Sequence, residues 1–401
     1  MPAPEREPLS RDVWRIAFSA FFADLGYQTV VTGLPIFLVL SLGAPVWAYG
    51  VASAIAYGPG AFVTYVGGRV SDRVGRKRIA VLGNLLIPLL AFAGLATSAA
   101  TAIALFCGGM WARNFRRGPR RAIVSEVTPP EQRTRAFALL SALDEAGGMV
   151  AAAIVVGLLA LRIPLGHIFL FAVLPLLAST AFLASVRAGG RQMSDPPTVK
   201  KPIVPGTGLR LYRGIMIAAC LFGFSAYSVG FPILTVAQGT HSDALGVLTY
   251  IVFQGAMVLS SLAIGTRKRA GAGALGLLGY VVAAAASLGL AVAYTQHVDV
   301  FGFYAAAAAL GLGMGVVETL EPTIISRVTP ASTVGGGMGS LGAARSFGLL
   351  IGNLSMSLLY QVGPEYAYAY AALGAVAAAV VVLVWSRERP QAPAADAAQS
   401  A

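Results

Sequence analysis

GRVSDRVGRKR, residues 68–78, puts five cationic side chains and one aspartate into eleven positions, between two long runs that carry almost no charge. The chain around it is not built like a soluble protein. Of its 401 residues 57% are hydrophobic and 11% charged, against roughly 45–50% and about 25% in soluble domains. Outward from the stretch in both directions, apolar blocks of twenty or more residues recur from Trp14 to Trp385, the length that crosses a hydrocarbon core. At that depth the backbone must satisfy its own hydrogen bonds, which leaves helices or a closed barrel. The blocks are rich in Ala, Leu and Gly and do not alternate, so the fold class is an all-α membrane protein.

Twelve spans are expected: 14–40, 46–66, 79–98, 100–124, 136–160, 166–186, 212–237, 244–265, 273–294, 300–325, 338–360 and 364–385. An even number puts both termini on one side. Basic residues mark every second connection: Arg6, Arg11 and Arg15 at the start of span 1, the quoted loop after span 2, Arg133 and Arg135 after span 4, and Arg267, Lys268 and Arg269 after span 8. The connections between them offer little beyond Arg162, so the basic side is expected to be cytoplasmic. A Pro/Gly/Lys-rich linker separates two sets of six spans. The expected organisation is therefore an N-terminal segment 1–13, a first bundle 14–186, a cytoplasmic linker 187–211, a second bundle 212–385 and a C-terminal tail 386–401.

The net charge of +12 is accounted for by anionic membrane surfaces and topology selection, and no nucleic-acid partner is expected. Cys107 and Cys220 both lie inside apolar blocks, which excludes a disulfide framework or a zinc spacing. His167, His241 and His297 fall at span ends, the latter two as His-x-Asp with Asp243 and Asp299; they read as polar loop residues, and no metal site is expected. The first residues carry acids and prolines ahead of a long span, and no removable signal peptide is read there.

The two sets of spans look like repeats. Ser125-Glu126-Val127-Thr128-Pro129 returns as Ser326-Arg327-Val328-Thr329-Pro330, and Gly33-Leu34-Pro35-Ile36 as Gly230-Phe231-Pro232-Ile233. At the first offset charges invert: Arg117 corresponds to Glu318, Arg120 to Glu321, Glu126 to Arg327 and Asp144 to Arg345. A pseudo-twofold brings such charges to matching depths in the two halves, so Asp144, Arg327 and Arg345 are expected to pair between lobes and close one face of a central cavity.

Gly68, Asp72, Arg73, Gly75, Arg76 and Lys77 reproduce a G-x-x-x-D-R-x-G-R-K pattern that resembles the signature between helices 2 and 3 of the major facilitator superfamily. With the span count, the central loop and the repeat, the resemblance covers nearly the whole chain. It implies twelve transmembrane helices in two pseudo-twofold-related six-helix bundles. Physically, Gly75 permits a tight turn, and Asp72 can sit against the amide end of a neighbouring helix, where a carboxylate is favoured. The resemblance further implies a latch, with a motif arginine paired to an acid at the end of helix 4; Arg76 with Glu126 is the candidate. The second half keeps only a remnant, Gly265-Thr266-Arg267-Lys268-Arg269, without the aspartate.

Ionisable groups near mid-bilayer are costly and are functional candidates by default. Asp24 lies ten residues into span 1, about 15 Å along a helix. A low-dielectric surrounding favours its neutral form and suits a proton carrier; a permanent arginine partner is the competing reading. Span 4 carries Arg113, Arg116, Arg117, Arg120 and Arg121, of which Arg113, Arg117 and Arg120 share a helical face. Glu145 on span 5, with Glu318 and Glu321 on span 10, completes the proton-coupling candidates. The resemblance implies that helices 1, 4, 7 and 10 line the cavity, giving Tyr27, Arg113, Arg117, Phe222 and Tyr227 as substrate-cavity candidates.

The expected function is secondary active transport of a small organic solute by alternating access. The resemblance favours proton-coupled efflux of the antiporter type, in a bacterial cytoplasmic (inner) membrane. A proton gradient is the expected energy source, the working unit is expected to be a monomer, and no cofactor is implied. Two departures weigh on that direction: AGGMVAAAIVVG, residues 146–157, lacks the proline of the antiporter motif, and helix 4 lacks Arg-x-x-Gln-Gly. Uptake of an anionic or zwitterionic metabolite is the alternative, motivated by the arginines of span 4. An integral enzyme or a non-transporting receptor stands against both; no nucleophile with its base, H-E-x-x-H or phosphate-cradling loop supports an enzyme.

Overall fold

The computed structural model describes residues 8–129, 132–187, 206–225, 227–265, 267, 271–329 and 334–386. Residues 1–7 with Arg6, linker residues 188–205, tail residues 387–401, and Thr266, Lys268, Arg269 and Pro330 of the sequence reading lie outside the described residues, while 206–211, expected in the linker, already belong to the helix Gly206–Ser225.

Every described element is helical. The helices are α1 Arg11–Ser41, α2 Val46–Val74, α3 Arg76–Leu95, α4 Ala99–Val127, α5 Arg133–Ala160 and α6 Leu165–Ala184. After the linker come α7, in two pieces Gly206–Ser225 and Gly230–Thr240, then α8 Asp243–Gly265, α9 Ala272–Thr295, α10 Val300–Val328, α11 Val334–Val362 and α12 Pro364–Trp385. Nine of these are long and apolar enough to cross a membrane on length and composition. α4 with its arginines, the divided α7 and the Gly/Ser-rich α11 are not among them, yet each stands in sequence between helices that are.

Span 7 was expected to be continuous. It restarts at Gly230 because Pro232 lacks an amide and is tolerated only in a first turn, where that amide has no intrahelical partner. The repeat partner, Pro35, is absorbed near the end of α1, which closes in a π turn over Phe37–Ser41. The loop between α2 and α3 has shrunk to a single residue: Gly75 holds φ +112° and ends one helix while it starts the next. A side chain is strained there, which is why the turn carries glycine.

Packing repeats with a shift of six helices. In the first bundle α1 lies on α5 and α6, α2 on α4, and α3 on α4 and α6; in the second α7 lies on α11 and α12, α8 on α10, and α9 on α10 and α12. The repeated SEVTP and SRVTP segments end α4 and α10 in the same way, with extended cap residues Thr128 and Thr329.

The bundles meet along α2–α11, α5–α8 and α1–α7. The closest approaches lie away from the basic loops. The Tyr49 and Ser228 hydroxyls are 2.5 Å apart. A Cβ added to Gly50 would lie 2.0 Å from Ser357 Cβ, and one on Gly230 1.9 Å from the Tyr49 hydroxyl. Toward the basic end the same two helices part: added Cβ atoms at Gly68 on α2 and at Gly339 and Gly342 on α11 would meet nothing within 4 Å. The seam is closed on one face of the membrane and splayed on the basic one.

Candidate functional site

α1, α4 and α5 bring six charged residues around one small cavity: Asp24, Arg113, Arg116, Arg117, Arg120 and Asp144. Its volume is about 30 Å³, room for about two waters. α4 supplies four of the six, because positions 113, 116, 117 and 120 recur at i, i+3, i+4 and i+7 and face one side of the helix.

Asp24 is 7% exposed and forms no ion pair within 4 Å among the described residues. Arg113, which lines the same cavity, donates through its guanidinium to the Tyr27 hydroxyl at 2.6 Å and lies 4.1 Å from the centre of that ring. Arg120 donates two hydrogen bonds to Asp144, at 2.9 and 3.2 Å, in the paired geometry that suits guanidinium and carboxylate. Arg117 is exposed at the lip of the cavity. Arg116 is 2% exposed, and its Nε and Nη1 have no hydrogen-bond partner among the described residues.

Arg116 was not among the candidate residues, because the 113, 117, 120 face was read without it. One signal for it existed in Gly83 of α3. An added Cβ at Gly83 would lie 2.9 Å from Arg116 Cβ, so the glycine is what lets α4 bury an arginine against α3.

The second bundle carries the inverted counterpart. Arg345 on α11 donates through Nε to Glu321 at 2.6 Å and through Nη1 to Glu318 at 2.9 Å. Glu321, 0% exposed, also accepts from the Tyr280 hydroxyl. Arg120–Asp144 on α4 and α5 and Glu321–Arg345 on α10 and α11 are thus the same bridge with its charges exchanged.

This corrects the sequence expectation for Asp144 and Arg345. Both pair inside their own bundle, Asp144 on α5 with Arg120 on α4 and Arg345 on α11 with Glu318 and Glu321 on α10. Arg327 lies in the last turn of α10, on the basic side. A charged group that does reach between bundles is Glu145, which accepts from Gln254 of α8.

Phe222 and Tyr227 also depart from expectation. They line a separate cavity of about 20 Å³ inside the second bundle, with Phe253, Ser287 and Met314. Phe222 packs on Tyr280 and Tyr227 on Tyr368, and both are buried.

At the basic face Arg76 bridges Glu126 at the end of α4 and also donates to Asp72 at 3.2 and 3.3 Å. The Asp72 side chain is 33% exposed, and among the described residues it is paired with Arg76 rather than with a helix terminus.

Two helical bundles related by a six-helix shift, with ionisable side chains buried inside each of them, define a polytopic membrane transporter. Residues 16–301 match the Major Facilitator Superfamily profile, and the chain belongs to that family. No curated relative matches it. Among solved structures it is similar to a POT family transporter in complex with a thioalcohol-conjugated peptide, at 12% identity and TM-score 0.78, covering 94% of this chain and 96% of that one. A D-xylose–proton symporter is similar at 13% identity and TM-score 0.75, covering 92% and 96%. A nucleoside transporter is similar at 11% identity and TM-score 0.73, covering 94% and 99%. At these identities the likeness is one of fold.

Proposed function

We propose that this transporter couples movement of a small organic solute to protons through Asp24, by alternating access between the two bundles. The observation that carries the reading is the state of Asp24: a carboxyl buried near mid-depth, without an ion-pair partner among the described residues, opening on a cavity large enough for water. An acid that is permanently neutralised cannot exchange a proton during a cycle, whereas an unpaired one can. The proton gradient is the energy source in this reading, and one chain holds both halves of the machinery.

We assign the basic face to the cytoplasm, with both termini on that side of a bacterial cytoplasmic membrane. The splayed seam is then the inward-facing state. Asp72, held here by Arg76, is free to engage the start of α11 when that face closes, which makes the Asp72–Arg76–Glu126 cluster a latch. Efflux in exchange for protons is the direction taken from the motif. The four arginines set against two acids at the cavity favour the second reading, uptake of an anion together with a proton.

The test uses proteoliposomes with a trapped pH dye and a panel of neutral, cationic and carboxylate solutes. A solute that moves protons is expected with the native chain, and Asp24→Asn is expected to abolish proton movement while solute exchange at equal concentrations persists. Proton movement that survives Asp24→Asn would remove Asp24 from the coupling role. If no solute moves protons in either orientation, the non-transporting receptor is the better reading.

A further inference from the structure

The charges around the α1–α4–α5 cavity do not balance. With every group ionised, four guanidinium groups face two carboxylates. One arginine, Arg120, is satisfied by Asp144, and another, Arg113, rests on the neutral Tyr27. Arg116 remains: it is almost wholly enclosed, it lines the cavity, and two of its nitrogens have no partner among the described residues. A buried guanidinium normally has a carboxylate against it, since leaving a charge uncompensated in a low-dielectric surrounding costs several kcal/mol by roughly any account. Of the two carboxylates on the cavity wall, Asp144 is taken by Arg120 and Asp24 makes no ion pair within 4 Å among the described residues, so what faces Arg116 is a small space whose every lining residue is charged.

We propose that this space binds the carboxylate group of an anionic solute, with Arg116 as the buried donor and Arg117 at the lip. The choice of carboxylate follows from size and shape. A cavity of about 30 Å³ holds about two water-sized atoms, which matches the two oxygens of a carboxylate and is too small for the four of a sulfate or phosphate. A guanidinium presents paired N–H donors that match a carboxylate or a phosphate alike, so it is the size of the space that favours the carboxylate. Arg117 is exposed where the cavity opens, so the remainder of the solute extends into the seam and only its charged end enters the first bundle. The inference deepens the transport reading by naming a substrate class; the binding site itself stands on the geometry alone.

The test is equilibrium binding, separate from proton movement. The full-length protein, purified in detergent at constant chloride, is titrated with acetate, acetamide and sulfate while its unfolding temperature is followed. Acetate is expected to raise that temperature saturably, acetamide to leave it unchanged, and sulfate to act more weakly than acetate. Arg116→Gln is expected to weaken acetate binding about tenfold or more, the scale of one charge-assisted contact. The unliganded fold is expected to tolerate it, because the substitution removes an uncompensated charge. Arg117→Gln, at the exposed lip, gives the same reading if the first variant does not purify.

Equal responses to acetate and acetamide, unchanged acetate affinity in the arginine variants, or tighter binding of sulfate would each overturn the assignment. So would no response to acetate, which leaves the cavity to water. Acetate binding that persists while Asp24→Asn still moves protons would sink the coupling reading and leave the anion site standing. Loss of the site with Asp24 coupling intact would do the reverse.

Discussion

Arg120 and Asp144 show how differently one residue counts alone and in company. The arginine side chain is 7% exposed and the aspartate 23%. Removing one member of such a pair strands the charge of the other, at about 3–5 kcal/mol, whereas replacing both with neutral groups is close to neutral. Arg120→Gln is therefore expected to destabilise the first bundle by about 3 kcal/mol, and the double variant with Asp144→Asn to recover most of that. Thermal unfolding of the two proteins in one detergent measures it; a double variant as unstable as the single one would mean that the pair is not an energetic unit. Glu321 and Arg345 obey the same rule in the second bundle, with Tyr280 adding a further donor to an acid that has no solvent contact. Asp24 is the contrasting case: an acid of similar depth left without such a partner, and so the one suited to exchanging a proton.

At the scale of helices, the closed side of the seam depends on small residues. Gly50 lets α2 touch α11, and its missing Cβ would collide with Ser357 Cβ and lie 2.8 Å from the Asn353 carbonyl. Backbone cannot swing aside as a side-chain tip can, so Gly50→Ala is expected to push α2 from α11 and expose that face. Thiol labelling of Ser357→Cys should then speed up by about tenfold or more, equivalent to a shift of about 1.4 kcal/mol in the opening equilibrium; an unchanged rate would mean the contact does not hold the seam shut. Much of this architecture was legible in the residues. Apolar run lengths gave the spans, the SEVTP and SRVTP repeat matched the shared endings of α4 and α10, the Gly75 turn stands where its residue type suggested, and Arg76 bridges Glu126 as the family resemblance implied. What could not be read was the rotation of each helix about its axis, which neighbouring helices set rather than the run of apolar residues. For that reason Arg116 was missed, Phe222 and Tyr227 were placed toward the seam when they pack within the second bundle, and charges that invert between halves were matched across the seam. The inversion is real, but it is a relation between two bridges, each closed within its own bundle.

For the molecule as a whole, the twofold exchanges the α2–α11 contact with the α5–α8 contact and maps α1–α7 onto itself. A rocking of the bundles about an axis in the membrane plane, perpendicular to the twofold, that closes the basic face must therefore relax the Gly50–Ser357 approach on the other. The two faces cannot be shut independently by rigid bundles, and this is the physical content of alternating access here. A ligand drives the cycle only by binding the two arrangements differently. The charged cavity lies within one bundle, beside the seam, where a tilt can change its exposure without dismantling it. The most direct measurement places spin labels in a chain whose Cys107 and Cys220 are replaced by alanine. One pair, Arg73→Cys with Gly339→Cys, spans the basic ends of α2 and α11; the other, Trp47→Cys with Val362→Cys, spans their opposite ends. The account predicts two distances in each pair with reciprocal populations, so that whenever acidification or a transported solute shortens one pair it lengthens the other. A single distance in both pairs, unmoved by pH and by every solute, or two pairs that lengthen and shorten together, would contradict it.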